Sequence, residues 1–467
     1  MESKYIYQSP QPKIEFYSSQ KNEGKLYQTF SPISDNLSGK NLQSYSFEKS
    51  VDQRVGTWNI TIKEDISGND LFIDKVELLD VVKIYENGTD LDFIGIVNNI
   101  TFSASGGNNV NKQISISGNS IEYLFDMYTI SLDQTAMAFL LNEAQNIEIK
   151  TTLSDLTDNT GSVDVFSVVK TVWNSFNEVA GKYTDITATK IKDLIELYYG
   201  NDINNWLSVE SGLNFKYQIS TNMYNGDEVT VFGFIQNLLP EEVYEFYGFI
   251  ENNSPKIRIR QKPFSFNVFK KLKWTKINPA WTIDYTFTRT NQEVYTAFLA
   301  YIENSVLAAD FYQKITTNSS GYSTAKSAKE KCKLYGYKPK FTTFVGYKSP
   351  ETDTDDEENS NLIEEFSKLN TLMCEWWGNL DELYNGDITV VNILKEEKPK
   401  IGEVAEFCNG QFYVTKEKHS WRYGQSMNVN YQIERGGDYT GVEFKKLSKI
   451  SKAYKELLNN EELTEKE

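Results

Sequence analysis

The stretch Gly56-Thr57-Trp58-Asn59-Ile60-Thr61-Ile62 sets the fold class. Trp58, Ile60 and Ile62 alternate with polar residues, so an extended strand buries all three on one face. The alternation continues toward the C-terminus. Val81-Val82-Lys83-Ile84-Tyr85 runs into Asn87-Gly88, a hairpin signal because both residues tolerate positive φ, and Leu91-Asp92-Phe93-Ile94-Gly95-Ile96-Val97 returns. Gln113-Ile114-Ser115-Ile116-Ser117 closes the set. Four or more such strands need a barrel or a sandwich to hide their apolar face.

At Asn119 the period changes. Asn119 and Glu122 have the spacing of a helix cap, with Ile121, Leu124, Phe125 and Tyr128 as the stripe behind them. Two further stripes follow. Val168, Val169, Val172, Trp173, Phe176 and Val179 run to Gly181, and Ile191, Leu194, Ile195 and Tyr198 run to Gly200. Strand character resumes at Leu213 to Ile219, Val229 to Phe232 and Lys256 to Arg260, stopping before Pro263, which removes a ladder donor.

A second sheet opens with Trp281, Ile283, Tyr285 and Phe287 in alternation. Helices interrupt it. Ala325, Ala328 and Cys332 share a face that ends at Gly336, and Leu362, Ile363, Phe366, Leu369, Met373, Trp376 and Trp377 form a long stripe ending at Gly378. Asp387 to Val391, Gly410 to Val414 and Met427 to Ile433 restore the sheet. A sheet, a helix-bearing insertion and returning strands thus occur twice, without a residue-level repeat. Past Tyr439 the chain turns to Lys and Glu, and Leu447, Ile450, Tyr454 and Leu457 predict a short terminal helix, docked on a neighbour or frayed in solvent.

Composition narrows the function. A net charge of -17 and only six arginines argue against specific nucleic-acid binding by the whole chain. No charged-then-apolar leader follows Met1 and no apolar run reaches the ~20 residues of a membrane span, so the expectation is cytoplasmic synthesis without membrane insertion. Cys332, Cys374 and Cys408 stand far apart and read as buried thiols of a reducing cell.

Chemistry-bearing motifs are scarce. His419, the only histidine, follows a strand with no nucleophile marked nearby and reads as an ordinary surface or interface residue. Gly106-Gly107 reads as a loop, with no helix start behind it to cradle a phosphate. The acidic loop holds Asp353, Asp355 and Glu357 at one-three-five spacing and Glu364 at position twelve, as a calcium loop does. Its sixth position is Glu358, however, where such loops use Gly for a sharp turn. The alternative is a solvated loop before a helix capped by Asn361, with Glu364 completing the box. No catalytic, cofactor-binding or metal-ligating residue is therefore assigned.

Several segments together carry a resemblance. Phe47-Glu48-Lys49-Ser50 precedes Gly56-Thr57-Trp58-Asn59-Ile60; then come Asp80 to Ile84, Asp92 to Val97, and Ile114 to Ser120 at a strand-Gly-helix junction. Leu239-Pro240-Glu241-Glu242, the strand Ile257 to Phe264, Arg289 to Val294, Gly402-Glu403-Val404, Gln411 to Val414, His419-Ser420 and Val429 to Gly436 follow in order. In this order the chain resembles baseplate hub proteins of contractile phage tails, R-type bacteriocins and related contractile injection systems. The acidic loop and the Lys/Glu tail match nothing in that pattern.

The resemblance implies a mixed α+β, mainly β chain with two tail-tube-like antiparallel β-barrels. The first spans 1–130, with strands returning at about 213–264. The second spans 265–304 and 384–440. Helix-bearing insertions occupy 131–212 and 305–383, and 441–467 is a charged, partly helical tail. It further implies a homotrimeric ring that meets the tail tube protein, the spike protein, other baseplate proteins and a tape measure protein. The acidic charge would then suit a non-adhesive lumen. Two other readings stay open: a cell-wall hydrolase at the tail tip, and a receptor- or carbohydrate-binding tail protein.

Overall fold

A computed structural model describes residues 12–19, 24–31, 41–63, 71–105, 111–127, 129–130, 173, 189–210, 229–302, 326–344, 368–369, 371–392, 397–441 and 447. The first seven strands are β1 (Lys13–Ser18), β2 (Lys25–Phe30), β3 (Asn41–Ser50), β4 (Thr57–Lys63), β5 (Val81–Tyr85), β6 (Phe93–Ser105) and β7 (Asn111–Ser120). They pair antiparallel in the order β2-β1-β5-β6-β7-β4-β3. Trp58, Ile60 and Ile62 lie on the buried face of β4, as the alternation predicts, and join Ile14, Phe16, Tyr45, Phe47, Ile84 and Ile116 in one core. That core draws its members from all seven strands, so the sheet curls around its own apolar face.

Short elements follow. Helix α1 (Tyr123–Met127) precedes β8 (Thr129–Ile130); α2 (Thr189–Tyr199) precedes β9 (Leu207–Val209). Next come β10 (Val229–Thr230), α3 (Val231–Leu238), β11 (Tyr244–Glu251) and β12 (Ser254–Gln261). Strands β11, β12 and β9 make a sheet of their own. With Phe125, Leu194, Ile195 and Trp206 it packs against the outer face of β6, where Ile94 and Ile96 point away from the first core. Helix α2 stops at Gly200, whose φ of 78° supplies the left-handed residue that ends a helix.

The last third holds α4 (Phe266–Phe269), β13 (Trp274–Lys276), β14 (Thr282–Thr288), β15 (Ala297–Ile302), α5 (Lys326–Tyr335), β16 (Pro339–Phe344), β17 (Tyr384–Val391), β18 (Val404–Phe407), β19 (Gly410–Arg422) and β20 (Asn428–Gly437). Strands β14-β17-β20-β19 continue the large sheet through a β19–β3 pairing, with β18 and β13 branching from β19. The result is one 13-stranded sheet, mostly antiparallel. The two expected barrels therefore appear as two halves of a single sheet; among the described residues, neither half closes by pairing its own end strands. Ile388, Val390, Phe407, Phe412, Val414, Val429 and Ile433 form the core of the second half.

Several local expectations need correction. Asn119 does not cap a helix; it stays in β7 opposite Thr57 and Ile96, so α1 begins only at Tyr123. The expected strand Val229 to Phe232 ends at Thr230, whose hydroxyl accepts from the Gly233 amide at 2.9 Å and starts α3 instead. The strands near 244–261 were expected to rejoin the first sheet, yet they pair with each other and β9. Asn87-Gly88 does not close a two-residue turn, because Ile84 pairs with Phe93 and a longer loop intervenes, held by Asn87 Oδ1 accepting from the Thr89 and Asp90 amides. Ile283 is 54% exposed because a bulge at Thr282/Asp284 turns it out of the β14 alternation. The stripe from Val168 to Val179 (apart from a buried Trp173), the strand near 213–219, Gly106-Gly107 and most of the terminal helix lie outside the described residues.

Trp58 shows how the central strands fit. Its indole N–H is shared between the carbonyls of Ile96 at 3.2 Å and Asn119 at 3.1 Å. The ring reaches them because its neighbour on β6 is Gly95: a Cβ there would stand 2.5 Å from the indole nitrogen. Gly95→Ala is expected to lower stability by about 1–3 kcal/mol through overpacking. A thermal or denaturant melt beside the parent chain reads this, with Gly200→Asn as a tolerated control because Asn enters the left-handed region readily.

Candidate functional site

The seam where the two halves meet buries several charged groups, among them Lys49, Glu86, Glu417 and His419. Strand β3 runs antiparallel to β19 with Phe47 opposite His419, Lys49 opposite Glu417 and Tyr45 opposite Trp421. In β19, residues 413, 415, 417, 419 and 421 are all buried. A strand's period of two places Glu417, His419 and Trp421 on one face, while the bulge between Val414 and Lys416 turns Tyr413 to the other. His419 stacks on Phe47 at 4.4 Å between centroids and 13° between planes, and Trp421 stacks on Tyr45 at 5.9 Å. Such cross-strand pairs fix register, since a one-residue slip would turn both rings to the opposite face.

The loop after β5 sends Glu86 into this seam. Its carboxylate receives His419 Nδ1 at 2.9 Å, the Tyr45 hydroxyl at 3.1 Å and Asn392 Nδ2 at 2.5 Å. One buried acid from the first half therefore binds groups of the second half, Asn392 following β17 and His419 lying in β19. Burial alone would push the His419 imidazole down, but Glu86 and Glu417 outweigh it and raise its pKa to about 10. Burial likewise opposes the Glu417 charge, and His419 and Lys49 hold that carboxyl below the usual range. Lys49 is lowered by its own burial and donates to the Asp92 carbonyl at 2.8 Å. Asp92 is pushed up to about 6, first by burial and then by Glu86. His419 is thus a buried structural cation within a strand, not the surface residue its sequence context implied.

A second buried cluster pins the small sheet to the large one. Arg260 on β12 donates Nε to Glu245 on β11 at 2.8 Å, and Nη2 to the Gly402 carbonyl and the Tyr413 hydroxyl, each at 2.8 Å. Tyr413 on β19 closes the cycle by donating to Glu245 at 2.6 Å. Burial opposes the Arg260 charge, but Tyr413 and Glu245 outweigh it and hold the guanidinium above its ordinary value. Gly402 has φ 76° and its missing Cβ leaves room for the Tyr247 hydroxyl, which would otherwise meet it at 2.2 Å.

The remaining sequence candidates are placed as follows. The acidic loop with Asp353, Asp355, Glu357, Glu358, Asn361 and Glu364 lies outside the described residues. Cys332, Cys374 and Cys408 are unbridged and half-buried rather than fully buried. Glu86, Glu245, Arg260 and Asn392 were not singled out from the sequence. A usable signal existed for Glu417 and His419, because both share strand parity with Trp421. No such signal existed for Glu86 or Asn392, which stand in loops.

No family model matches this chain, and no curated protein matches it in sequence. Solved structures do. The 43 kDa tail protein of prophage MuSo2 from Shewanella oneidensis is 10% identical with a TM-score of 0.44, over 91% of this chain and 98% of that one. A tail protein from Neisseria meningitidis MC58 is 9% identical with a TM-score of 0.46, over 91% and 96%. The E. coli c3393 protein, described as a type VI secretion component similar to the T4 tail proteins gp27 and gp5, is 8% identical with a TM-score of 0.37, over 86% and 75%. All three scores lie below 0.5, so the mainly β architecture rests on the strand pairing itself.

Two expectations follow. Because the folded pKa of His419 is raised above the unfolded value near 6.5, its contribution is complete below that pH and is lost as pH rises toward about 10. Between pH 7 and 9 the unfolding free energy should fall by roughly 1 kcal/mol per pH unit more than in His419→Gln, measured by denaturant titration at each pH. Separately, Arg260→Met strands Glu245 in the core and should cost about 3–5 kcal/mol, while Arg260→Met with Glu245→Met should cost less than the single change.

Proposed function

We propose that this chain is a structural tail component: a baseplate hub that assembles as a trimeric ring between a hexameric tail tube and a trimeric spike, in a contractile phage tail or tail-like bacteriocin. The observation that carries the reading is the fusion of two sheet halves through β3 and β19. A chain with two tube-like halves at a fixed relative rotation supplies six such units per trimer while keeping threefold symmetry for the spike. Ring contacts of this heterologous kind close only when that rotation is right. The buried Glu86–His419 and Arg260–Glu245 contacts hold it.

Open edges supply the contact surfaces. Among the described residues β2 pairs only with β1 and β14 only with β17, leaving an edge at each end of the main strand path. Such edges expose unpaired backbone donors and acceptors and recruit a further strand unless they are covered. In this reading the neighbouring copy covers them, and the chain acts by assembly rather than by catalysis. Tube, spike, other baseplate proteins and a tape measure protein are the partners.

Light scattering of the purified chain, alone and with the adjacent spike protein, tests the ring. The expected species is about three times the 53.7 kDa chain mass in at least one condition. A monomer in both counts against the hub. Ile283→Lys on the exposed β14 edge should shift the trimer toward monomer without lowering the melting temperature of the monomer.

A further inference from the structure

Away from the seam, four parts of the chain enclose a cleft of about 650 Å³, a volume typical of small-molecule sites. The β3–β4 loop, α1, the α3–β11 turn, and β16 with the helix at 371–377 each form a wall. Its charges are largely matched internally. Arg54 lies 3.2 Å from Asp126 and also donates to Gln236, which in turn donates to Glu241. Lys262 lies 3.9 Å from Asp52. Lys340 and Lys262 sit 4.5 and 5.5 Å from the centroid of the Trp377 ring.

This arrangement selects against charged ligands of either sign. A cation finds the indole already approached by two lysines, and an anion meets the carboxylates of Asp52, Asp126, Glu241 and Glu242. Unused hydrogen-bonding capacity remains. Lys340 has no carboxylate within ion-pair distance among the described residues. Acceptors and donors therefore stand side by side, next to the rings of Tyr123, Tyr244 and Phe246.

We propose that this cleft binds a neutral saccharide. Sugar hydroxyls donate and accept at once, which suits carboxylate and amide acceptors beside lysine donors. The apolar faces of a sugar ring pack against aromatic side chains. The site is independent of the seam and adds a recognition function to the proposed structural one.

The test uses the full chain on an array of neutral oligosaccharides, including maltotriose, cellotriose and chitotriose, followed by calorimetry with the best binder. Saturable binding at one site per chain is expected, and it should persist at high salt because the ligand carries no charge. Lys340→Met and Glu242→Gln, both half-buried at the cleft, should each weaken it about tenfold, as loss of a hydrogen bond to a charged group does. Glu251→Gln, on an exposed hairpin end, should leave it unchanged. Circular dichroism melts confirm that each variant folds. Binding to no arrayed sugar overturns the proposal, and so does binding that survives both cleft substitutions.

Discussion

Everything in this fold depends on two strands, β3 and β19, meeting edge to edge. Their seven paired positions turn two sheet halves into one continuous sheet. Backbone pairing alone would leave the rotation soft, because hydrogen bonds specify spacing better than they specify which side chains face inward. The inward faces settle it: His419 against Phe47, Trp421 against Tyr45, and Glu86 reaching across to accept from both halves. Each of these polar groups is buried, so breaking one contact strands its partner, and that asymmetry makes the seam all-or-none.

The same logic governs how the small sheet is attached. Arg260, Glu245 and Tyr413 form a closed ring of donors and acceptors in which every oxygen of the Glu245 carboxylate is engaged. Apolar packing of Ile257, Ile259, Tyr247 and Phe264 supplies the attraction, while the ring of hydrogen bonds fixes orientation. Both clusters therefore fix orientation as well as adding stability.

Strand periodicity made much of this legible from sequence. Trp58, Ile60 and Ile62 fall where alternation places them, and the runs at Val81 to Tyr85 and Gln113 to Ser117 and the closing segments near Gly410 and Met427 all form strands. Turns were read less well. Asn87-Gly88 carries the favoured dipeptide but opens a longer loop, whereas the two-residue hairpin turns are Asn252-Asn253 and Cys408-Asn409, all four at positive φ. Asn is tolerated there through local hydrogen bonding; Cys is not a turn residue, and only the pairing of Phe407 with Gly410 forces it. Val231 and Phe232 look like strand continuations until the Thr230 hydroxyl is seen capping a helix. The seam was invisible for a different reason: nothing local in Ser44 to Ser50 says that its partner lies near the other end of the chain.

That separation bears on how the molecule comes to exist. At roughly 5–20 residues per second, tens of seconds pass on the ribosome between completion of β3 and arrival of β19. Throughout that interval the first half carries Tyr45, Phe47 and a row of backbone groups along an uncovered edge, and Glu86 waits without its histidine. Non-local strand pairing is slow and prone to wrong partners. Nascent copies translated close together would offer each other the same edge until the final strands emerge. For this chain, the order of synthesis places its most important joint among the last to form.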